Sequence, residues 1–336
     1  MCKIALICQL LHNKNQRFLL LFVTLRNGDY YETENWMRVL VTGATGQLGC
    51  EVVQVLKKCG HYVIGTSTKV VTGENVDEWV CLDITNAEAV KEVFDRVHPD
   101  AVIHCAAWTK VDLAEEPEQK EAVYAVNVEG TRHIATVCKQ LDCKLLFVST
   151  DYVFDGSGER PWEPEDVICQ PVNVYGQTKY EGEQIISSLL EKYFIVRIAW
   201  LFGKQGENFV KTMLKIGKKY DKVRVVCDQI GTPTYAPDVA ELLVKLIQSE
   251  QYGYYHATNE GGYVSWYEFT REIYKQASYT TKVIPVTTEE YGLSKAVRPH
   301  NSRMDKQKLK EKGFGLLPDW KDALGRYLNE YSVMSK

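Results

Sequence analysis

No apolar run in these 336 residues approaches the ~20 residues that a membrane-spanning helix needs. Two shorter apolar pieces, 4–11 and 18–25, are split by the polar stretch 12–17. No basic leader precedes the first and no small-residue cleavage site follows the second, so a secretory signal fits poorly. Histidine is scarce, at seven, and the ten cysteines include no Cys-x-x-Cys pair. This spacing indicates neither a metal site nor a disulfide framework, and the thiols read as reduced and cytoplasmic. Mg2+ at a subunit contact stays open, although no pattern in the sequence indicates it. An excess of one charge is also missing, because 40 Lys and Arg face 44 Asp and Glu. The net charge of −4 argues against a nucleic acid polymer as partner. Internal repeats and low-complexity linkers do not occur.

What is present is ordinary for a globular protein, with 45% hydrophobic and 25% charged residues. The run Val-Thr-Gly-Ala-Thr-Gly-Gln-Leu-Gly at 41–49 stands between a strand-like segment, 37–42, and a helical apolar spacing over 50–58. Gly43, Gly46 and Gly49 suit a tight turn whose backbone approaches a pyrophosphate, with the helix start supplying N–H groups. Further strands are expected at 61–65, 79–83, 100–105, 144–150 and 194–199. Helices are expected at 86–97 with Asn86 as cap, at 118–141 and at 175–192. This alternation predicts an α/β fold, a Rossmann-type doubly wound parallel sheet. After Trp200 the pattern loosens into helices near 208–220, 237–248, 265–276, 305–312 and 319–331, with strands near 223–227, 254–256 and 282–285. The expected organisation is an N-terminal extension without evident purpose over 1–36, an NAD(P)-binding domain over 37–200 and a smaller mixed α/β substrate domain over 201–331. Some C-terminal segments are free to return to the first domain. Met37 is itself a plausible initiator, so the preceding residues read as a misassigned upstream start.

The chemistry-bearing residues fall at strand ends. Tyr175 and Lys179 are four apart, on one helix face, so the ammonium can stand beside the phenol. A tyrosine titrates near pH ~10, and a neighbouring cation lowers it by ~1–3 units, a shift that Lys179, helped by the positive nicotinamide of an oxidised cofactor, would supply. The same spacing also occurs by chance on surface helices, and the glycine turn upstream is what raises its weight. His104-Cys-Ala-Ala107 ends one strand with small residues against which a flat ring or ribose can lie. Ser149-Thr150-Asp151 ends the next and offers a hydroxyl for a substrate carbonyl and for the phenol.

Together these segments resemble the extended short-chain dehydrogenase/reductases and, within them, the dTDP-4-dehydrorhamnose reductases. The most selective stretches are Ser-Thr-Asp-Tyr-Val-Phe-Asp-Gly at 149–156, Asp-Gln-Ile-Gly-Thr-Pro-Thr at 228–234 and Arg-Pro-His-Asn-Ser at 298–302. The resemblance covers 37–331. It implies that Tyr175 gives a proton to the C4 oxygen of a dTDP-keto-sugar, that Lys179 holds the nicotinamide ribose, and that Thr150 supports both phenol and substrate. It implies further that Asp151 and Trp200 hold the sugar, with Thr109, Val111 and Arg298 in the same subsite. Gly43, Thr45, Gly46, Gln47, Leu48 and Gly49 would form the phosphate turn, Asp83 and Ile84 flank the adenine, and Cys105, Ala106 and Ala107 line the cofactor. The implied reaction is reduction of dTDP-4-dehydro-β-L-rhamnose to dTDP-β-L-rhamnose, the last step of dTDP-rhamnose synthesis, in a protein that could form a homodimer.

Two other readings share the fold. A nucleotide-sugar epimerase or dehydratase is one, although Thr150-Asp151 lacks the dehydratase Asp-Glu pair. The other is a non-catalytic binding subunit like the regulatory subunit of methionine adenosyltransferase, against which Tyr175, Lys179, Trp200 and Asp228-Gln229 all stand intact. For the cofactor, an NAD-preferring site places a carboxylate about 20 residues after the glycine turn. Here the second strand ends Gly65-Thr-Ser-Thr-Lys69. Hydroxyls and Lys69 could take a 2′-phosphate instead, so NADPH is expected over NADH.

Overall fold

The computed structural model describes residues 23–26, 29–32, 36–73, 75–166 and 169–334. Within the N-terminal unit, Val23–Arg26 and Asp29–Glu32 pair antiparallel. The expectation that 1–36 is an appendage lies for most of its length outside the described residues. Among those described, no helix is long and apolar enough to cross a membrane.

The second unit, from Arg38 onward, is built on a seven-stranded parallel sheet. Its spatial order is Gly253–His256, Tyr193–Ile198, Lys144–Thr150, Ala101–His104, Arg38–Thr42, Tyr62–Ser67, Glu78–Cys81. The inner strands carry fully buried apolar runs at 39–41, 101–103, 145–147 and 194–196, because helices cover both faces of the sheet. The chain runs outward from Arg38–Thr42 to Glu78–Cys81, then returns to the other side of Arg38–Thr42 with Ala101–His104. That reversal makes a crevice at the carboxyl ends of the two central strands.

The helices mostly follow the apolar periodicity. Ala87–Val97 buries Val90, Phe94 and Val97 and is capped by Asn86, whose side chain accepts from Ala89 N–H at 3.0 Å. Val174–Leu189 is capped by Asn173, which accepts from Gly176 N–H at 2.7 Å. The continuous helix expected over 118–141 is a correction. It is a 3-10 turn Pro117–Gln119, a short helix Lys120–Tyr124, a π turn Ala125–Glu129 and a helix Gly130–Leu141. The wide turn carries Asn127, whose amide bonds the Trp108 backbone and Thr178, and no apolar stripe encodes such an insertion. The helix expected over 305–312 is only the short Gln307–Glu311.

Beyond Trp200 the chain adds a second core, centred on Phe202, Tyr235, Phe269, Trp320 and Tyr327. Lys222–Val226 pairs in parallel with Lys282–Val286, and Leu201–Phe202 with Thr234–Tyr235. Two C-terminal segments join the sheet layer. Gly253–His256 is the edge strand beside Tyr193–Ile198, and Ala236–Ile247 packs on the helix Gly49–Lys58.

Candidate active site

The carboxyl ends of the inner strands open on a cleft of about 830 Å3. Its floor at one end is the glycine turn. Gly43 has φ +62°, and a Cβ there would stand 2.9 Å from the Ala106 backbone of the neighbouring strand end. Gly49 is tighter still, since its Cβ would lie 2.2 Å from the Gly43 carbonyl oxygen. Gly46 N–H closes the turn onto that oxygen at 2.9 Å. The helix Gly49–Lys58 starts without a side-chain cap and its first residue, Gly49, lines the cleft, so this wall fits a phosphate group.

The strand end Cys105–Ala107 is held by Thr42, whose hydroxyl accepts from Ala106 N–H at 3.1 Å and meets His104 Nδ1 at 2.6 Å. His104 bonds Thr131 on its other side, and burial, then the Lys179 charge, pull the imidazole down to about 3. Burial pushes the Cys105 thiol up to about 12, which leaves it unreactive. Thr66 to Thr68, Asp83 and Ile84 form the next stretch of wall, with Asp83 turned onto the Thr85 N–H and hydroxyl. Gln47 spans to the C-terminal segments, donating to the Leu201 carbonyl and accepting from Asn208.

At the other end stand Thr150, Asp151, Tyr175 and Lys179. Lys179 is 2% exposed; its Nζ donates to the Val148 carbonyl at 2.8 Å and lies 3.8 Å from the Phe147 ring centroid. Burial pulls the ammonium down to about 7, against the opposing attraction of Glu183. Tyr175 is half-buried in the cleft wall, edge-on to Tyr152 with ring centroids 5.8 Å apart. Its phenol is pushed up, by burial first, with the Thr150 hydroxyl bond opposing. The lowering expected from Lys179 belongs to the site with the oxidised nicotinamide bound; in the protein alone desolvation dominates the phenol, and the ammonium is engaged by the Val148 carbonyl. A phenol held protonated is the state a proton donor requires. Asp151 accepts from Thr150 Oγ1 at 3.0 Å, and burial pushes it up to about 6. Across from them Trp200, strained at φ +48°, stacks on Trp266 with ring centroids 3.6 Å apart.

The cleft thus gathers Gly43, Thr45, Gly46, Gln47, Leu48, Gly49, Asp83, Ile84, Cys105, Ala106, Ala107, Thr109, Val111, Thr150, Asp151, Tyr175, Lys179 and Trp200 in its lining. Two expected residues are not in it. Lys69 is exposed just past Thr68 at the rim. Arg298 is turned onto Asp112, with Nη2 to Oδ2 at 2.7 Å and Nη1 to Oδ1 at 3.1 Å, and this pairing holds the Asp112 carboxyl below the usual range. Asp228 and Gln229 also lie elsewhere, bonded to Thr288.

The model for the RmlD substrate binding domain matches residues 37–333. The chain belongs to the RmlD substrate binding domain family. The chain is 40% identical over 301 residues to dTDP-4-dehydrorhamnose reductase of Aggregatibacter actinomycetemcomitans, covering 85% of this chain and 97% of that protein. It is 35% identical over 294 residues to dTDP-4-keto-6-deoxy-D-glucose reductase of Streptomyces niveus, covering 87% and 96%. The crystal structure of Bacillus anthracis dTDP-4-dehydrorhamnose reductase in complex with NADP superposes with a TM-score of 0.80 at 40% identity, over 88% of this chain and 99% of that one.

Sequence reasoning missed Asn127, Tyr152, Glu183 and Trp266. Glu183 had a legible signal, as the residue one turn beyond Lys179 on the same helix. The others are placed by contacts across 19 to 66 positions of sequence, as in Asn127 to Trp108 and Trp200 to Trp266.

Proposed function

We propose that this member of the RmlD substrate binding domain family reduces the C4 keto group of dTDP-4-dehydro-β-L-rhamnose with NADPH, giving dTDP-β-L-rhamnose. The observation that carries this reading is one cleft with a phosphate-fitting glycine turn at one end and a protonated tyrosine beside a buried lysine at the other. A reduced nicotinamide supplies the hydride when bound. Tyr175 donates the proton to the C4 oxygen, and Thr150 holds that oxygen and the phenol together. Lys179 binds the ribose hydroxyls and steadies the phenolate left after transfer. Asp151 and Trp200 orient the sugar, while the closed glycine turn receives the diphosphate of the cofactor. The rim hydroxyls of Thr66, Ser67 and Thr68, with Lys69 outside them, suit a 2′-phosphate, in keeping with NADP in the Bacillus anthracis relative. Both reactants are charged nucleotides of the cytoplasm, where we place the protein.

The Streptomyces niveus relative supports a second substrate, dTDP-4-keto-6-deoxy-D-glucose, for the same chemistry. Incubating the protein with each keto sugar and NADPH, and identifying the products by NMR, separates them. A higher kcat/KM on the rhamnose precursor is expected, and no NADPH oxidation with either sugar would refute the reductase reading. Tyr175→Phe should lower kcat by ~10²–10⁴-fold with KM little changed, as for loss of a positioned general acid.

A further inference from the structure

Behind Tyr175 and Lys179 runs a buried polar row that the reaction as described does not use. Glu183 is fully buried one helical turn beyond Lys179. Its Oε1 accepts from the Ser149 hydroxyl at 2.5 Å and from Arg197 Nε at 2.9 Å, and its Oε2 accepts from Arg197 Nη2 at 2.7 Å. Ser149 and Arg197 are direct partners across the adjacent strands Lys144–Thr150 and Tyr193–Ile198. Arg197 in turn donates to the Pro164 carbonyl and stands over the Phe154 and Tyr254 rings. The helix therefore grips one strand end at two successive residues, Val148 through Lys179 and Ser149 through Glu183. Thr150 is the next residue along.

We propose that Glu183 is a positioning residue for the reduction: its carboxylate, clamped by Arg197, fixes Ser149 and hence the adjoining Thr150, and supplies the negative charge beside Lys179. A buried ion pair by itself adds little to stability compared with an apolar pair of the same size. Placement and charge are the work this one is suited to. The titratable groups that bear on Lys179 are Glu183 on its own helix and His104 and Cys105 on the facing strand end, with Tyr175 one helical turn before it in the same cleft wall. The imidazole is neutral, and the thiol and phenol are protonated, so among these Glu183 is the anion that keeps the ammonium charged near neutrality. Arg197 stays cationic if the carboxylate is removed, and its charge would then disfavour that of Lys179.

The proposal rests on the roles of Tyr175, Lys179 and Thr150 given above. Its test uses the full chain, with NADPH affinity by fluorescence titration and kcat measured across pH. If Lys179 must be charged, wild-type NADPH binding weakens as pH rises through about 7. Glu183→Gln should move that limb toward acid by about one unit or more, with affinity on the acid side nearly unchanged. Glu183→Asp should restore the limb, because it keeps the charge, while leaving kcat low. Ser149→Ala, which leaves the ion pair whole and guards against misfolding of the glutamine variant, should lower kcat by about ten-fold or more with the limb in place. A Glu183→Gln limb coincident with wild type, or a Ser149→Ala enzyme with wild-type kcat, overturns the proposal. Lys179→Met separates the two levels. If it keeps the wild-type limb, the site reading itself falls; if it loses the limb while Glu183→Gln keeps it, only the role of Glu183 falls.

Discussion

Replacing Asp151 by asparagine should stabilise the protein while harming its activity, and the stabilisation should depend on pH in a defined direction. The carboxyl is 2% exposed, and burial raises it from 3.8 to about 6 in spite of the Ser302 and Thr150 hydroxyls. Its Oδ2 makes no hydrogen bond of good geometry, although Ser302 is near enough to favour the charged form. A group whose folded value lies above its unfolded one favours folding fully only below the unfolded value, and loses that contribution as pH rises through the folded value. The ionised Asp151 therefore costs about 3 kcal/mol above pH 6, from about two units at ~1.4 kcal/mol each. Asparagine keeps the shape and the acceptor for Thr150 Oγ1 without the charge. Thermal melts of Asp151→Asn and wild type, run in parallel from about pH 4.5 to 8, should diverge between about pH 4.5 and 6 and then stay apart by roughly 5 °C. Other groups that titrate in this range cancel in the difference. Parallel melting curves at every pH would refute the claim that Asp151 is held in a desolvated site, and a gap that grows toward acid would reverse its sign. The same variant should turn over substrate more slowly, because the proposed function sets the charge that burdens the fold against the sugar, a common exchange of stability for function.

Lys179→Met should weaken NADPH binding at neutral pH and abolish its fall above about pH 7, seen by fluorescence titration. Lys69→Glu, at the rim beyond Thr68, should erase or reverse the preference for NADPH over NADH in kcat/KM, because a carboxylate repels the 2′-phosphate; equal ratios before and after would show that this rim does not read the cofactor. Gly49→Ala should cost about 1–3 kcal/mol and most of the cofactor affinity, since the new Cβ would meet the Gly43 carbonyl at 2.2 Å and the turn must open to admit it; calorimetry with NADPH checks both.

Much of this was legible in the chain because local chemistry encodes it. Strand, glycine turn and helix at 38–58 follow from apolar periodicity and from the left-handed backbone that Gly43 adopts. The presence of Tyr175 and Lys179 on one helix face follows from 3.6 residues per turn, and the parallel sheet from strands that alternate with helices. Tertiary structure decided the rest. Arg298 faces Asp112, 186 positions away, so a motif residue expected at the substrate is held in an ion pair outside the cleft lining. The π turn at Ala125–Glu129 breaks a stripe that reads as one helix. The direction in which the Tyr175 phenol moves was equally hidden, because spacing tells only that a cation is near. How much water the fold removes from the phenol depends on every element packed around it, and here that loss outweighs the Thr150 hydroxyl bond.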